Sequence, residues 1–225
     1  MPLSFLSEST SRKRKVFLSR GEIVEAAARI MARDGYDALN MRSVAAQLHV
    51  QAAALYRYVK SREELDELIF DHLMAGCTPK VTGKDWRIDV RTICNAWRTR
   101  LNEKHDITRI ALAQISLGPN VAPLMEASLN ALRRSGLDDA GVVDAYDACI
   151  LFVHSFASTE ATYRSLLSGG DAAGARAPIL RPEWTSAYPT LTALADKLSA
   201  PPNFDAQFRF GLDALIAGIE RRAHG

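Results

Sequence analysis

Helical periodicity, framed by capping residues, is the feature that most restricts how this chain can fold. Ser19 and Glu22 have the Ser-x-x-Glu spacing of a capping box, in which each side chain satisfies a backbone N–H at a helix N-terminus. Apolar residues then recur every three or four positions and form one helical stripe, made of Ile23, Ala26, Ala27, Ile30 and Met31. Gly35 predicts the end of this helix, because glycine readily adopts the left-handed backbone that closes helices.

Three further helices are predicted directly after the first. Asn40 is a suitable N-cap for a second, short helix with Val44, Ala45 and Leu48 on one face. The sequence His49–Gln51 interrupts the pattern, and a third helix covers residues 52–58. A second capping box, formed by Ser61 and Glu64, opens the fourth helix. Two short helices joined by a tight turn predict a helix-turn-helix.

The remaining chain also has helical spacing. We predict a linker after Gly76, then a helix capped by Asp85 and ending near Leu101, and further helices over residues 107–117, 121–135, 139–167, 188–199 and 204–223, with a loop at 168–183. The helix over 139–167 is apolar on much of its circumference, which predicts burial on several sides, a partner subunit included. Without any strand pattern, the predicted fold class is all-α.

Charge is distributed unevenly along the chain. Residues 1–62 contain 11 Lys and Arg against 5 Asp and Glu, about +6, whereas the whole chain is only +2. A basic end on a mildly acidic body is expected of a polyanion-binding domain joined to a neutral module. The arm over residues 1–18 carries the run Arg12–Lys15 and is either a solvated tail or a contact to DNA phosphate or the minor groove.

Composition and motifs exclude several other classes of protein. Among the 225 residues, 48% are hydrophobic, no segment reaches the ~18 apolar residues that span a bilayer, and no secretory signal is present, which predicts a cytoplasmic protein without membrane contact. The scattered Cys77, Cys94 and Cys149 predict reduced, buried thiols. Nucleophile-elbow, metalloprotease and phosphate-loop motifs are missing, so we expect neither an enzyme nor a bound cofactor or metal.

Sequence motifs add a family resemblance. The first part of the chain carries Ala26-Ala27, Asp34-Gly35-Tyr36-Asp37-Ala38-Leu39, Met41-Arg42-Ser43-Val44-Ala45, Leu48-His49-Val50 and Ala54-Leu55-Tyr56-Arg57-Tyr58-Val59-Lys60-Ser61-Arg62-Glu63-Glu64-Leu65. With these residues, the stretch 19–73 resembles the DNA-binding region of the TetR family of transcriptional regulators. More weakly, Asp85–Arg87, Leu132–Leu137 and Phe152–Glu160 look like the C-terminal domain of the tetracycline-repressor branch.

The resemblance implies a domain organisation. A flexible basic arm (1–18) precedes a helix-turn-helix domain (19–75), which is a three-helix bundle. A linking helix joins that bundle to a larger helical domain (76–225) for effector binding and dimerisation.

The resemblance also implies a DNA-binding surface, with the third helix in the major groove and the second lying across it. The residues concerned are Arg42, Gln51, Ala52, Ala53, Tyr56, Tyr58, Lys60 and Arg62. An arginine fork suits guanine, and glutamine can read adenine, although Gln51 can instead cap its helix. Since alanines offer only methyl contacts, specificity would depend on Arg42, Gln51 and DNA shape. Solvated charge and bundle packing are the alternatives for the remaining members.

An effector site is expected inside the second domain. Such sites are mostly apolar, with a few polar anchors. The candidates are Trp97, Leu101, Met125, Leu129, Phe152, Phe156, Thr159, Glu160 and Tyr163, and core packing is the alternative for each. We expect His154 to be a core histidine. Because no matching histidine cluster accompanies Glu160, neither magnesium nor tetracycline is predicted.

These expectations combine into one function and one alternative. The predicted function is a homodimeric repressor that binds a near-palindromic double-stranded DNA operator and is released by a small apolar or aromatic effector. Its dimer would pair through the long helix and the last helix as a four-helix bundle. The alternative is a DNA-binding protein that is independent of any effector or controlled by a protein partner. A closed, dry core in the second domain favours the alternative.

Overall fold

The computed structural model describes residues 18–103, 107–111, 117–168 and 187–224. Its helices are α1 (Arg20–Asp34), α2 (Met41–Gln47), α3 (Ala52–Leu55), α4 (Arg62–Leu73), α5 (Trp86–Glu103), α6 (Ile107–Ala111), α7 (Ala122–Arg133), α8 (Asp139–Ser168), α9 (Pro189–Leu198) and α10 (Phe204–His224). A 3-10 turn at Tyr36–Ala38 follows α1. The described ranges contain no strand, which confirms the all-α class. The predicted arm and the loop at 168–183 lie almost wholly outside these ranges.

The first helix begins and ends where its caps predict. The hydroxyl of Ser19 accepts a hydrogen bond from the Glu22 N–H, and the Glu22 carboxylate accepts the Ser19 N–H at 2.9 Å. At the other end, Gly35 has φ 83° and ψ 169°, and its N–H bonds the carbonyl of Met31. This backbone conformation is essentially restricted to glycine, so the stop depends on that residue.

The helix-turn-helix region also forms, with a shorter third helix than predicted. Asn40 caps α2 as expected, and Ser43 completes a capping box there. His49 takes a left-handed φ of 55° in the turn. The next helix, α3, has only four residues, because the N–H of Tyr58 already bonds the carbonyl of Leu55 three residues back.

The predicted capping box at α4 forms only in part. Ser61 accepts a hydrogen bond from the N–H of Glu64. The Glu64 carboxylate, however, accepts the Lys60 N–H at 2.6 Å and the Arg20 guanidinium at 2.6 Å. The prediction of a complete capping box was therefore wrong in its reciprocal half, because the Glu64 carboxylate instead links α1 to α4.

The long helix α8 lies at the centre of the second half of the chain, where it packs against α5, α6, α7 and α10. Among the described helices, α8 alone is long and apolar enough to cross a membrane by length and composition. Its buried positions explain that composition, since a core helix needs the same apolar residues. Val142, Val153 and Ala157 are examples.

One buried carboxylate joins the linker to two helices. Asp89, at the start of α5, is fully buried and accepts the N–H groups of Thr82 (2.9 Å) and Gly83 (3.0 Å). It also accepts the Arg134 guanidinium at 2.6 Å. Burial opposes ionisation of this group, but the bonds from Arg134, Thr82 and Gly83 outweigh it and hold the pKa of Asp89 below its usual value.

We predict that Asp89→Asn lowers the free energy of unfolding at pH 7 by about 2 kcal/mol, because buried donors lose a charged acceptor. The contribution of Asp89 is complete above the unfolded-state pKa of about 3.9 and disappears as the pH falls through the lower native pKa. Urea unfolding at several pH values measures both effects.

Asp139→Asn is the matched control, because Asp139 makes an exposed ion pair with Arg133 at 2.8 Å. We expect this control to change stability by less than about 0.5 kcal/mol. An Asp89→Asn deficit that persists undiminished at pH 3 would contradict the assignment.

Candidate DNA interface and effector cavity

Five of the predicted DNA-binding residues are exposed along α2, α3 and the turn before α4. These are Arg42, Gln51, Ala53, Tyr56 and Lys60. The exposed fraction of Tyr56 is 52%, which argues against the alternative of a buried bundle aromatic. Arg42 and Lys60 make no side-chain ion pair with any residue in the described ranges. Both cations are therefore available to a polyanion.

Two other predicted residues, Ala52 and Tyr58, are half-buried and pack against the hydrophobic core. The carbonyl of Tyr58 also accepts the Nε–H of Arg20 at 2.7 Å. Each of these two side chains is therefore partly packed in the domain interior and partly exposed to solvent.

The last predicted residue, Arg62, is engaged inside the domain. Its Nε donates to Asp66 at 2.9 Å, another guanidinium nitrogen donates to the carbonyl of Leu39, and the guanidinium lies 4.7 Å from the Tyr36 ring centre. Tyr36 in turn donates its hydroxyl to Asp66 at 2.8 Å. The i, i+4 spacing of Arg62 and Asp66 can be read from the sequence, but Tyr36 and Leu39 come from a separate segment that no sequence pattern places beside α4. Its contacts favour a structural role for Arg62.

Tyr36 and its neighbour Asp37 also connect the two halves of the chain. Arg109, on α6, forms two bonds with the carboxylate of Asp37, at 2.9 Å and 2.8 Å. Its guanidinium also lies 4.9 Å from the centre of the Tyr36 ring. The 3-10 turn after α1 therefore contacts the second half directly.

A second connection joins the end of α4 to the start of α7. The buried carboxylate of Asp71 accepts the N–H groups of Asn120 (2.9 Å) and Val121 (3.0 Å), and the Asn120 side-chain amide at 2.8 Å. Gly118 is required beside it, since a Cβ there would stand 2.1 Å from the Asp71 side chain. We call α2 and α3 the reading head. The helix that follows it, α4, is thus anchored to the second half of the chain.

A small, mainly apolar cavity lies between α5, α7 and α8. Its volume is about 10 Å³, room for about one water molecule. The lining residues are Val90, Ile93, Cys94, Trp97, Ser128, Leu132, Tyr146, Cys149, Ile150 and Val153. Burial raises the pKa of Tyr146 to about 12, so its phenol is neutral at physiological pH. Only Trp97 was among the predicted effector residues, since helical spacing does not separate cavity lining from packed core.

Trp97 connects the cavity to α4. Its indole N–H is buried and has no hydrogen-bond partner among the described residues. The ring makes an edge contact with His154, 5.3 Å between centres, and His154 makes one with Phe70 of α4, at 6.2 Å. His154 is buried, as expected of a core histidine.

Three other predicted effector residues belong to an aromatic cluster between α8 and α10. Phe152 and Phe156 each lie 5.2 Å from Phe208, and Tyr163 lies 5.5 Å from Phe204. None of them lines the cavity. Their contacts correspond to the core-packing alternative.

Glu160 does not line the cavity either, because its side chain bonds other residues. Its carboxylate is fully buried and accepts two bonds from Arg98, at 2.9 Å and 3.0 Å, one from Asn102 at 2.8 Å, and one from Arg164. Arg98 also donates to Asp205 at 2.8 Å. The network of Glu160, Arg98 and Asp205 therefore joins α8, α5 and α10. Within the described ranges, no group of three or more His, Cys, Asp or Glu could hold a metal ion.

The four remaining candidates also lie apart from the cavity lining. Leu101 is fully buried, while Met125 and Leu129 are half-buried against the core. Thr159 is exposed and donates its hydroxyl to the carbonyl of Ser155 at 2.9 Å. The structure thus brings Trp97 alone of the predicted set to the cavity.

We predict that Glu160→Gln lowers the free energy of unfolding by about 3 kcal/mol, because it leaves the buried Arg98 charge poorly compensated. Asp205→Asn is the matched control, since Asp205 pairs with the same arginine but is 81% exposed; we expect a change below about 1 kcal/mol. Urea unfolding measures both. Equal effects of the two substitutions would contradict the structural assignment of Glu160.

Comparison with known proteins places the chain in a family. The sequence model for the bacterial regulatory proteins of the tetR family matches residues 23–67, and the model for the tetracyclin repressor-like C-terminal domain matches residues 78–223. An HTH-type transcriptional regulator of Saccharopolyspora erythraea is 30% identical over 97% of this chain and 91% of its own length. The HTH-type transcriptional repressor DrrR1 of Streptomyces coeruleorubidus is 29% identical over 93% of this chain and 80% of its own.

Solved structures agree with these sequence matches. ActR, a TetR family protein of Streptomyces coelicolor solved in complex with actinorhodin, superposes with a TM-score of 0.80 and 30% identity, covering 92% of this chain and 99% of ActR. These relatives are regulators rather than enzymes. The chain accordingly belongs to the TetR family of transcriptional regulators.

Proposed function

We propose that this chain is a soluble, cytoplasmic, homodimeric repressor that a small apolar or aromatic effector releases from its operator. The single observation that carries the proposal is the cavity between α5, α7 and α8, whose wall reaches α4 through Trp97, His154 and Phe70. A ligand there would act on the helix that supports the reading head. We propose domain limits of 19–75 and 76–225.

On the DNA side, α3 would enter the major groove and α2 would lie across it. Arg42 supports this arrangement because its guanidinium is exposed and makes no ion pair within the described residues. Gln51 can read adenine, Ala53 can contact a thymine methyl, and Tyr56 and Lys60 can bond phosphate. Ala52 and Tyr58 would contribute from their exposed sides. Arg62 remains the weakest member, since its guanidinium already bonds Asp66 and Leu39.

Exposed apolar side chains on α8 and α10 support a homodimer. The exposed fractions are 53% for Val143, 63% for Leu151 and 79% for Phe210. A groove of about 250 Å³ also runs between these helices, lined by residues such as Ala214 and Leu215. Apolar surface of this kind marks a protein interface, and two-fold pairing matches a near-palindromic operator.

Release of DNA would need a ligand that enlarges the cavity. A volume of about 10 Å³ is far below the ~300 Å³ of a small ligand site, so binding must displace side chains of the wall. Displacement of Trp97 would be passed through His154 to Phe70 on α4. The ion pair of Arg109 with Asp37 offers a second connection to the reading head. A ligand that prefers the displaced form shifts the protein towards it.

We predict that Arg42→Ala weakens operator binding about 10-fold, because a fork contact is lost, and that Lys60→Ala reduces the salt slope of binding by about 1. Fluorescence anisotropy with DNA from upstream of the chain's own gene, over a salt series, measures both. Arg133→Ala is the control, because this exposed arginine lies on α7. An equal loss in all three variants would contradict the assigned surface.

We predict that some members of a panel of apolar and aromatic compounds, tested together with actinorhodin, raise the melting temperature by binding the folded protein. For a hit with a hydrogen-bond acceptor, Trp97→Phe should raise Kd about 3- to 10-fold, because the indole donor is lost. Trp86→Phe is the matched control, since Trp86 is buried on the same helix but does not line the cavity. Equal effects of both variants would contradict binding at Trp97.

The small cavity also supports the alternative function. A cavity of only about 10 Å³ between α5, α7 and α8 is what an effector-independent or partner-controlled DNA-binding protein would have. Operator binding that stays intact and unresponsive to every compound in the panel would favour that function.

A further inference from the structure

Two of the three cysteines line the same cavity. Cys94 lies on α5 and Cys149 on α8, both belong to the cavity wall, and each thiol perturbs the pKa of the other. The helices that carry them pack directly against each other. The third cysteine, Cys77, lies in the linker and donates instead to the carbonyl of Ala96 at 3.7 Å. The chain therefore holds one thiol pair and one separate thiol.

Their different surroundings make the two thiols chemically unequal. The influence of Cys94 lowers the pKa of Cys149, although burial opposes this. The influence of Cys149, together with burial, raises the pKa of Cys94. A cysteine that loses its proton more readily, close to one that keeps it, is the usual arrangement of an attacking and a resolving thiol.

A small reactant has room beside the pair. Both side chains are nearly buried, at 4% and 6% exposure, and a protein-sized thiol or glutathione could not reach them. The adjoining space of about 10 Å³ is of the order of one water molecule, so a compact oxidant such as hydrogen peroxide fits better than any larger one.

We propose that Cys94 and Cys149 form a redox-active dithiol, which hydrogen peroxide converts into an intrachain disulfide between α5 and α8. The Cys149 thiolate attacks one peroxide oxygen, the O–O bond breaks, and the second oxygen leaves as water after taking a proton. The sulfur of Cys94 then attacks the sulfenic sulfur of Cys149. An S–S bond forms, the S–O bond breaks, and a second water leaves with the Cys94 proton.

Oxidation changes the cavity wall. The sulfurs of a disulfide are about 2.05 Å apart, closer than two unbonded thiol sulfurs can approach, so the bond draws α5 and α8 together at the cavity. Two thiols that line the space are lost at the same time. This inference rests on the proposed function, in which the cavity is the effector site. Disulfide formation then makes that site sensitive to peroxide as well as to its ligand.

The test is oxidation of the wild-type full-length protein with hydrogen peroxide, followed by thiol titration and peptide mapping under denaturing, non-reducing conditions. We expect titratable thiols to fall from three to one per chain and a linked peptide pair that contains Cys94 and Cys149. Dithiothreitol should restore all three. If both thiols stay free, or if Cys77 is the residue that becomes linked, the proposal is overturned.

Three single variants sharpen the test. Cys77→Ala is the control and should still form the linked peptide. Cys94→Ala should accumulate a sulfenic acid at Cys149 that dimedone traps when the protein is denatured in its presence, whereas Cys149→Ala should give no adduct at Cys94. A dimedone adduct on Cys94 alone would contradict the assigned order of attack. Because the wild-type peptide map is decisive by itself, a variant that fails to fold leaves the test intact.

Different results would contradict the proposed dithiol and the proposed function. Linkage between the two cysteines, in a protein that binds no operator DNA, would support the dithiol and contradict the repressor. Operator binding without any linkage would do the opposite. With both present, peroxide should change the affinity of the wild-type protein for a compound identified by thermal shift.

Discussion

The long helix α8 is apolar on most of its circumference, and the other helices of the second half surround it because that surface must leave water. A single element therefore lines the cavity, contacts α4 through His154, and carries exposed apolar residues such as Leu151. The end of α8 is held by the buried pair of Glu160 with Arg98. The proposed ligand site, the linking helix and the proposed dimer surface consequently share one supporting helix.

Local chemistry explains what could be predicted from the sequence. The caps of α1 at Ser19 and Gly35 depend on residues within a few positions, and so do the Asn40 cap and the break at His49. The motifs of the first part are equally local, so the amino-acid sequence alone is sufficient to identify the family. The exposure of Arg42 and Tyr56 agrees with their predicted positions on the surface.

Contacts between distant segments explain what could not be predicted. Glu160 was a candidate anchor for an effector, but Arg98, 62 residues away in sequence, neutralises it. Arg62 was expected at phosphate, yet Asp66, Leu39 and Tyr36 enclose its guanidinium. Helical periodicity shows which face of a helix is apolar. It does not show which neighbour covers that face, so Trp97 could not be separated from Phe156.

Reciprocal titration is the most direct test of energetic coupling between the cavity and the reading head. Operator Kd is measured with and without a saturating compound that binds the folded protein, and the Kd of that compound is measured with and without operator. Coupling through α4 predicts that each ligand weakens the other by the same factor, since linkage is reciprocal. A compound that occupies the cavity while operator Kd stays unchanged would contradict an effector-released repressor.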